Sequence, residues 1–254
     1  MEQTTKIALI TGGSRGLGKN AALHIAKKGI DVIITYRSKK EEAEEVVAEI
    51  EKGGQKAAAL QLDTGIAKTF DAFAQQLTIA LKEKWSREQF DFLVNNAGID
   101  AASPFAKTTE EDFDNLFNIH FKGVYFLTQK LLPLIADGGR IINLSTGLTR
   151  FATPGYAAYA SMKGAIEVLT KYLAKELGAR KIAANMVAPG IIETDFTKAA
   201  FGGHPGLRDH ISQITSLGRP GLPDDIGGVI AFLCTEDARW INAQRIEASG
   251  GMYL

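Results

Sequence analysis

The sequence has little cysteine, little histidine and no excess charge of either sign. Its single cysteine, Cys234, excludes an intramolecular disulfide, and its short apolar surroundings favour a small core residue. The four histidines and this cysteine show no metal-ligand spacing. Lysine plus arginine and aspartate plus glutamate both number 29, so the formal net charge is zero. Nothing therefore favours a nucleic acid or an anionic membrane as a partner.

Long hydrophobic runs are also missing. No apolar stretch approaches the roughly 18 residues of a membrane span. The amino-terminal residues show no basic segment followed by a long apolar one, so no signal peptide is expected. We therefore expect a cytoplasmic protein. A length of 254 residues with 45% hydrophobic and 23% charged residues suits a soluble protein of one large domain or two small ones.

Short apolar runs alternate with longer amphipathic stretches along the chain. Runs of this length, bounded by glycine or polar residues, are typical of parallel strands buried on both faces. The alternation predicts an α/β fold, a doubly wound parallel sheet with helices on both faces. The predicted strands are residues 6–11, 31–36, 57–62, 92–95, 140–144 and 182–187, and the clearest predicted helices are 41–52, 110–135 and 156–177.

Residues 191–217 break this pattern. Four glycine or proline residues lie among scattered apolar residues between positions 202 and 206. We interpret the segment as a mobile lid over a site, with an ordinary irregular connection as the alternative.

A glycine cluster follows the first predicted strand, within the segment Thr11-Gly-Gly-Ser-Arg-Gly-Leu-Gly18. Glycine allows a tight turn and a close approach of backbone to ligand, and the helix that follows directs its N–H groups at a phosphate. Between a strand and a helix at the start of an α/β chain, the cluster predicts a dinucleotide site.

The end of the second predicted strand bears on which dinucleotide is bound. An NAD site usually has a carboxylate there for the ribose 2′-hydroxyl. Here the strand ends in Tyr-Arg37-Ser-Lys, and the first acidic residue after the strand is Glu41. The Arg37 guanidinium can bind a 2′-phosphate with two charge-assisted hydrogen bonds, and Arg15 can close on it from the glycine loop. We therefore expect NADP(H) rather than NAD(H).

Tyr159 and Lys163 are four residues apart on a predicted helix and share one face. A tyrosine with an ordinary pKa near ~10 is a poor proton donor and acceptor at neutrality. A nearby ammonium and an oxidised nicotinamide would lower that pKa. The pair therefore suits the proton chemistry of carbonyl reduction.

Over essentially its whole length, the chain resembles the short-chain dehydrogenase/reductase family, most closely its 3-oxoacyl-carrier-protein reductases. The resemblance implies a single Rossmann-type domain over residues 1–254, of about seven strands. Six ordered motifs carry it: the glycine loop, the Asn95-Asn-Ala-Gly98 tetrapeptide, Asn118, the Tyr159/Lys163 pair, Pro189-Gly190 with Thr194, and Asp63 after the third strand. It implies cofactor contacts from Gly12, Ser14, Arg15, Gly16, Leu17, Gly18, Arg37, Ser38, Asp63, Thr64, Asn95, Ala97, Gly98, Tyr159, Lys163, Pro189, Gly190, Ile192 and Thr194.

In that family hydride passes from nicotinamide to a carbonyl carbon. The resemblance implies that Tyr159 protonates the alkoxide, that Lys163 binds the ribose, and that Asn118 holds a water. The family's catalytic serine falls on Thr146 by ungapped counting, and a threonine can supply the same hydroxyl. Ser145 is the alternative for this substrate-orienting role.

The family usually has glycine at position 243, where this chain has Ala243, and we expect only a small backbone adjustment. The resemblance also implies a homotetramer. His24 and His120 are expected to be structural or surface residues, whereas His204 and His210 lie in the predicted lid and are weak candidates for substrate contact.

The predicted substrate is a small carbonyl compound, in one version a 3-oxoacyl group bound to an acyl carrier. Arg180 and Lys181 favour the carrier, but the segment before the fifth strand has no basic residue until Arg140. The alternatives within the enzyme class are dehydrogenases that act on sugars, steroids or small ketones. A different class of function is a cofactor-binding scaffold or regulator without turnover.

Overall fold

Seven parallel strands form one sheet in the order β3-β2-β1-β4-β5-β6-β7. The computed structural model describes residues 5–100, 102–203 and 205–254, without the side chains of Ala199 and Ala200. The order and the parallel pairing confirm the predicted α/β fold. The strands are β1 Ile7–Ile10, β2 Asp31–Tyr36, β3 Ala57–Gln61, β4 Phe90–Asn95, β5 Ile135–Leu144, β6 Ala183–Pro189 and β7 Arg245–Ala248.

Helices cover both faces of the sheet. In β1, Ala8 and Ile10 pack into the core on one face, whereas Ile7 and Leu9 pack into the core on the other. This two-sided burial explains why the strands are continuous apolar runs. The first core includes α1, α2 and α9, and the second includes α3, α5 and α6. The helices are α1 Gly16–Ala26, α2 Lys40–Lys52, α3 Phe70–Trp85, α4 Glu110–Phe117, α5 Gly123–Leu131, α6 Ala157–Glu176, α7 Lys198–Gly203, α8 Leu207–Ile214 and α9 Pro223–Leu233.

The helix predicted over residues 110–135 is interrupted. A π-helical turn, Asn118–Lys122, separates α4 from α5, and the Gly123 N–H donates to the carbonyl of Asn118. A 3-10 turn containing Pro133 ends the helical stretch before β5 begins at Ile135. Gly123 is required at the junction, because a Cβ there would lie 2.1 Å from the carbonyl oxygen of Thr64. The π turn changes which side chains of this stretch face the sheet.

The predicted lid segment contains two short helices, α7 and α8. Ile211 anchors α8 in the interior, and Arg208 forms a 2.6 Å ion pair with Glu193. Within the described ranges, every helix is too short or too polar to span a bilayer. Since all strands are parallel, the loops that follow β1, β4, β5 and β6 meet at one edge of the sheet, where ligands bind in such folds.

Candidate active site

The glycine loop has the conformation that a dinucleotide site requires. Gly12 and Gly16 have φ of +66° and +56°, the left-handed region that favours glycine. A Cβ at Gly18 would lie 2.2 Å from the Gly12 carbonyl oxygen, so the loop closes tightly on the first turn of α1. Ser14 and Arg15 precede α1 within the glycine loop, and Leu17 lies in the first turn of α1. The backbone N–H groups of this turn are available for a diphosphate.

Asn96, which is absent from the predicted cofactor contacts, stabilises this loop. Its side-chain amide donates to the carbonyls of Thr11 and Gly12 at 2.9 and 3.1 Å. The Thr11 hydroxyl in turn accepts from the backbone N–H groups of Asn96 and Ala97, both at 3.0 Å. The Asn95 side chain faces inward and donates to Asn143 at 2.8 Å. The first asparagine of the tetrapeptide thus ties strands together, and the second shapes the glycine loop.

The end of β2 presents Arg37 and Ser38 to solvent beside the glycine loop. A groove of about 330 Å³ runs from Arg37 past Asp63 towards α3. The Asp63 carboxylate accepts from the N–H of Gly65 at 2.9 Å, which fixes the loop containing Thr64. Within the described chain, neither Arg15 nor Arg37 is paired with a carboxylate. Both guanidinium groups are therefore available to an anion.

The loop after β6 closes the opposite side of the cleft. Pro189 ends β6, and Gly190 packs against Ser249, where a Cβ would be 3.0 Å from the serine Cα. Ile192 is buried and bridges to Gly221. Thr194 faces Gly16, because a Cβ at that glycine would lie 3.9 Å from the threonine Cβ. These residues lie where the resemblance places nicotinamide contacts.

Tyr159 and Lys163 share the inward face of α6, as the spacing predicts. The ammonium of Lys163 is 5% exposed and donates to the carbonyl of Leu144 at 2.7 Å. It lies 5.7 Å from the centroid of the Tyr159 ring. Helix α6 thus holds both groups at the carboxyl end of β5.

The two neighbouring hydroxyls after β5 point in different directions. The Ser145 hydroxyl is buried and donates to Glu167 at 2.6 Å. Thr146 instead lies beside the phenol of Tyr159 and interacts with it. Arg245 donates to the Thr146 carbonyl at 3.0 Å and to Glu167 at 2.8 Å, which fixes this loop. The geometry brings Thr146, rather than Ser145, to the tyrosine.

Burial sets the protonation of the pair in the protein alone. It raises the pKa of Tyr159, and the nearby Asp100 carboxylate raises that pKa further, whereas Thr146 lowers it. Burial lowers the pKa of the Lys163 ammonium to about 8. The phenol is therefore fully protonated at neutrality, the state required of a proton donor.

Comparison with known proteins identifies the family. A family model described as enoyl-(acyl carrier protein) reductase matches residues 12–253. The chain belongs to the short-chain dehydrogenase/reductase family. The angucycline C-6 ketoreductase LanV, solved with bound NADP, superposes with a TM-score of 0.92 at 38% identity, covering 98% of this chain and 96% of that chain.

Two curated relatives of this oxidoreductase family show the same overall match. The 3-oxoacyl-[acyl-carrier-protein] reductase FabG of Staphylococcus aureus is 37% identical over 253 residues, covering 98% of this chain and 99% of the relative. The hydroxynaphthalene reductase-like protein Arp2 of Metarhizium brunneum is 35% identical over 258 residues, covering 97% and 94%. The similarity thus extends over nearly the whole chain in both cases.

Asn118 and His120 both lie in the π turn but differ in burial. Asn118 is half-buried at the start of the π turn, and its backbone carbonyl accepts the Gly123 N–H. His120, two residues later, is 1% exposed, and its ring lies edge-on to Tyr159 with the centroids 5.1 Å apart. The sequence predicts a structural or surface histidine at this position. Regular helical spacing does not place it at the tyrosine, because the π turn changes the period of the helix.

The other candidate residues lie away from Tyr159 or outside the described chain. His24 lies 3.2 Å from Asp224, between α1 and α9. His210 is exposed on α8, and His204 lies outside the described residues. Cys234 is buried as expected, and burial raises its pKa to about 12. Among the described residues, no group of three or more acidic, histidine or cysteine side chains could hold a metal ion.

Proposed function

We propose that the protein is an NADPH-dependent ketoreductase in which Tyr159, Lys163 and Thr146 perform the proton chemistry. The observation that carries this proposal is the convergence of the three side chains at the carboxyl end of β5. Thr146 binds the carbonyl oxygen of the substrate, Tyr159 donates its phenolic proton to that oxygen, and the Lys163 ammonium stabilises the phenolate that results.

When bound, the cofactor would supply the hydride. The glycine loop between Gly12 and Gly18 would hold its diphosphate, and Arg15 and Arg37 its 2′-phosphate. Pro189, Gly190, Ile192 and Thr194 would border the nicotinamide. Residues 191–217 would form the lid over the substrate. LanV, the similar ketoreductase solved with NADP, supports this choice of cofactor.

A free small ketone is favoured over an acyl group bound to a carrier. Arg180 lies between the end of α6 and the start of β6, at the opposite edge of the sheet from Tyr159. From Tyr159 to Glu176, the last residue of α6, the helix rises about 26 Å at 1.5 Å per residue. Its guanidinium pairs with Asp137 at 2.7 Å. The basic pair at residues 180–181 therefore does not border the site. Besides Lys163, a charged group near Tyr159 is Asp100, which is an acid.

Steady-state kinetics with NADPH tests the proposal. The wild type should oxidise NADPH in the presence of free ketones, and faster than with 3-oxoacyl groups on a carrier. Tyr159→Phe should abolish turnover while NADPH still binds, since only the phenolic hydroxyl, and with it the donated proton, is removed. Thr146→Val should lower kcat about 100-fold, the loss of one hydrogen-bond donor to the developing oxyanion.

Ser145→Ala is the matched control, because its hydroxyl contacts Glu167 and not Tyr159. It should retain most of the turnover. Unchanged turnover in Tyr159→Phe would refute the assignment. NADPH binding by the wild type without turnover of any carbonyl would instead support a cofactor-binding regulator or scaffold.

The protein is also proposed to form a homotetramer. Exposed apolar side chains lie on neighbouring helices, with Phe113 on α4, Tyr125 and Phe126 on α5, and Val168 and Tyr172 on α6. Several exposed apolar side chains on neighbouring helices are typical of a subunit interface.

A further inference from the structure

His120 carries an unusual combination of burial and polarity. Its ring is 1% exposed and stands at 86° to the ring of Tyr159. A Cβ at Gly98 would lie 2.7 Å from its Cε1 atom, so glycine is needed there to admit the imidazole. The last residue of the Asn95–Gly98 tetrapeptide therefore makes room for a ring that packs against the catalytic tyrosine.

The hydrogen bonds of the ring define its tautomer. Nε2 lies 2.8 Å from the carbonyl oxygen of Ile99 and 3.2 Å from the Ile99 nitrogen. One ring nitrogen cannot donate to the first and accept from the second. The shorter contact favours Nε2 as donor, which leaves Nδ1 with a lone pair. Among the described residues, buried Nδ1 has no hydrogen-bond partner.

The charges around the ring keep it neutral. Burial and the positive charge of Lys163 lower the pKa of His120 to about 3. Besides Lys163, the titratable group packed against the ring is the phenol of Tyr159, which is protonated. Nδ1 is therefore a buried acceptor in a neutral ring, and the Lys163 ammonium is near enough to that ring to lower its pKa. A buried acceptor of this kind is ordinarily satisfied by protein or water.

We propose that His120 is a positioning residue for this reaction, whose neutral imidazole orients the Tyr159 ring and whose Nδ1 accepts a hydrogen bond from a water shared with Lys163. The inference rests on the proposed function above. It gives His120, rather than Asn118, the water-holding position on the helical stretch of residues 110–131. No proton leaves or enters the imidazole in this role.

Two substitutions separate the two ring nitrogens. His120→Asn keeps an acceptor near the position of Nδ1 but loses the reach to Ile99. His120→Gln keeps a donor near the position of Nε2 but has no acceptor at Nδ1. We expect Asn to retain kcat within about fivefold and Gln to lose about 100-fold, the effect of a small misplacement of catalytic groups. The KM for NADPH should change little in both.

The kcat–pH profile gives a readout that packing alone would not change. In the Gln variant, the apparent pKa that reports ionisation of the Tyr159–Lys163 pair should shift. In the Asn variant, this apparent pKa should stay at its wild-type value. A fully active Gln variant, or an inactive Asn variant beside an active Gln one, would overturn the inference. If the wild type itself reduced no ketone, the proposed function would fail instead.

A measurement on the unsubstituted protein keeps the inference testable if both variants unfold. Nitrogen NMR of histidine-labelled protein should show the His120 ring neutral, with the proton on Nε2, across about pH 5 to 8. A proton on Nδ1 or a charged ring in this range would overturn the proposed acceptor role.

Discussion

Removal of the Arg37 guanidinium should weaken NADPH binding selectively. Arg37 is exposed at the end of β2, and within the described chain no carboxylate pairs with it, so the guanidinium is available to a phosphate. Hydrogen bonds to charged groups contribute about 1.5–3 kcal/mol. Because the site is open to solvent and Arg15 remains, the lower end applies, and Arg37→Ala should raise the Kd for NADPH about tenfold.

Isothermal titration with NADPH and NADH measures this effect. The Kd for NADH should change less than about twofold, because NADH has no 2′-phosphate. Lys39→Ala is the matched control, since Lys39 is a neighbouring exposed cation that lies 3.8 Å from Glu42. The NADPH penalty should also shrink as salt is raised. An equal loss for both nucleotides, or an equal loss in Lys39→Ala, would refute the assignment of Arg37 to the 2′-phosphate.

Two further predictions concern stability and assembly. Ala243 has a left-handed backbone with φ of 58°, a conformation that costs an L residue about 1–2 kcal/mol. Ala243→Gly should therefore raise the Tm by a few degrees in thermal unfolding. A lower Tm would contradict this prediction. In sedimentation equilibrium the wild type should be a tetramer. Tyr172→Glu should be a smaller species, because Tyr172 is an apolar side chain of α6 that is 63% exposed. A monomeric wild type would refute the proposed tetramer.

The sequence predicts well what depends on local geometry. The glycines of residues 12–18 and the four-residue spacing of Tyr159 and Lys163 each need only one turn or one helix to be interpreted. The alternation of apolar runs likewise predicts the sheet, because burial on both faces affects every residue of a strand. The seventh strand, Arg245–Ala248, is short and only half-buried, and it has no such apolar run.

The unpredicted features depend on contacts between distant segments. Asn96 is found beside Thr11 only when β1 and β4 are paired. Ala243 has a left-handed conformation, in which its N–H donates to the carbonyl of Ala184 in β6. Arg180 does not lie near the site, because the length of α6 carries the chain to the other edge of the sheet.

Two choices among the residues proposed for proton transfer, Ser145 or Thr146 and Asn118 or His120, depend on which of two nearby side chains faces Tyr159. Ser145 and Thr146 follow β5 in extended backbone, where successive side chains point to opposite sides, so only one of them can face Tyr159. Asn118 and His120 lie in a π turn, where the α-helical period does not decide which one faces the tyrosine. In each pair the choice is made by a partner from elsewhere in the chain: Glu167 takes the serine hydroxyl, and Gly98 leaves space for the imidazole. Matching a motif by residue spacing therefore predicts which residue types lie at the site. Deciding which individual side chain has each role requires the packed structure.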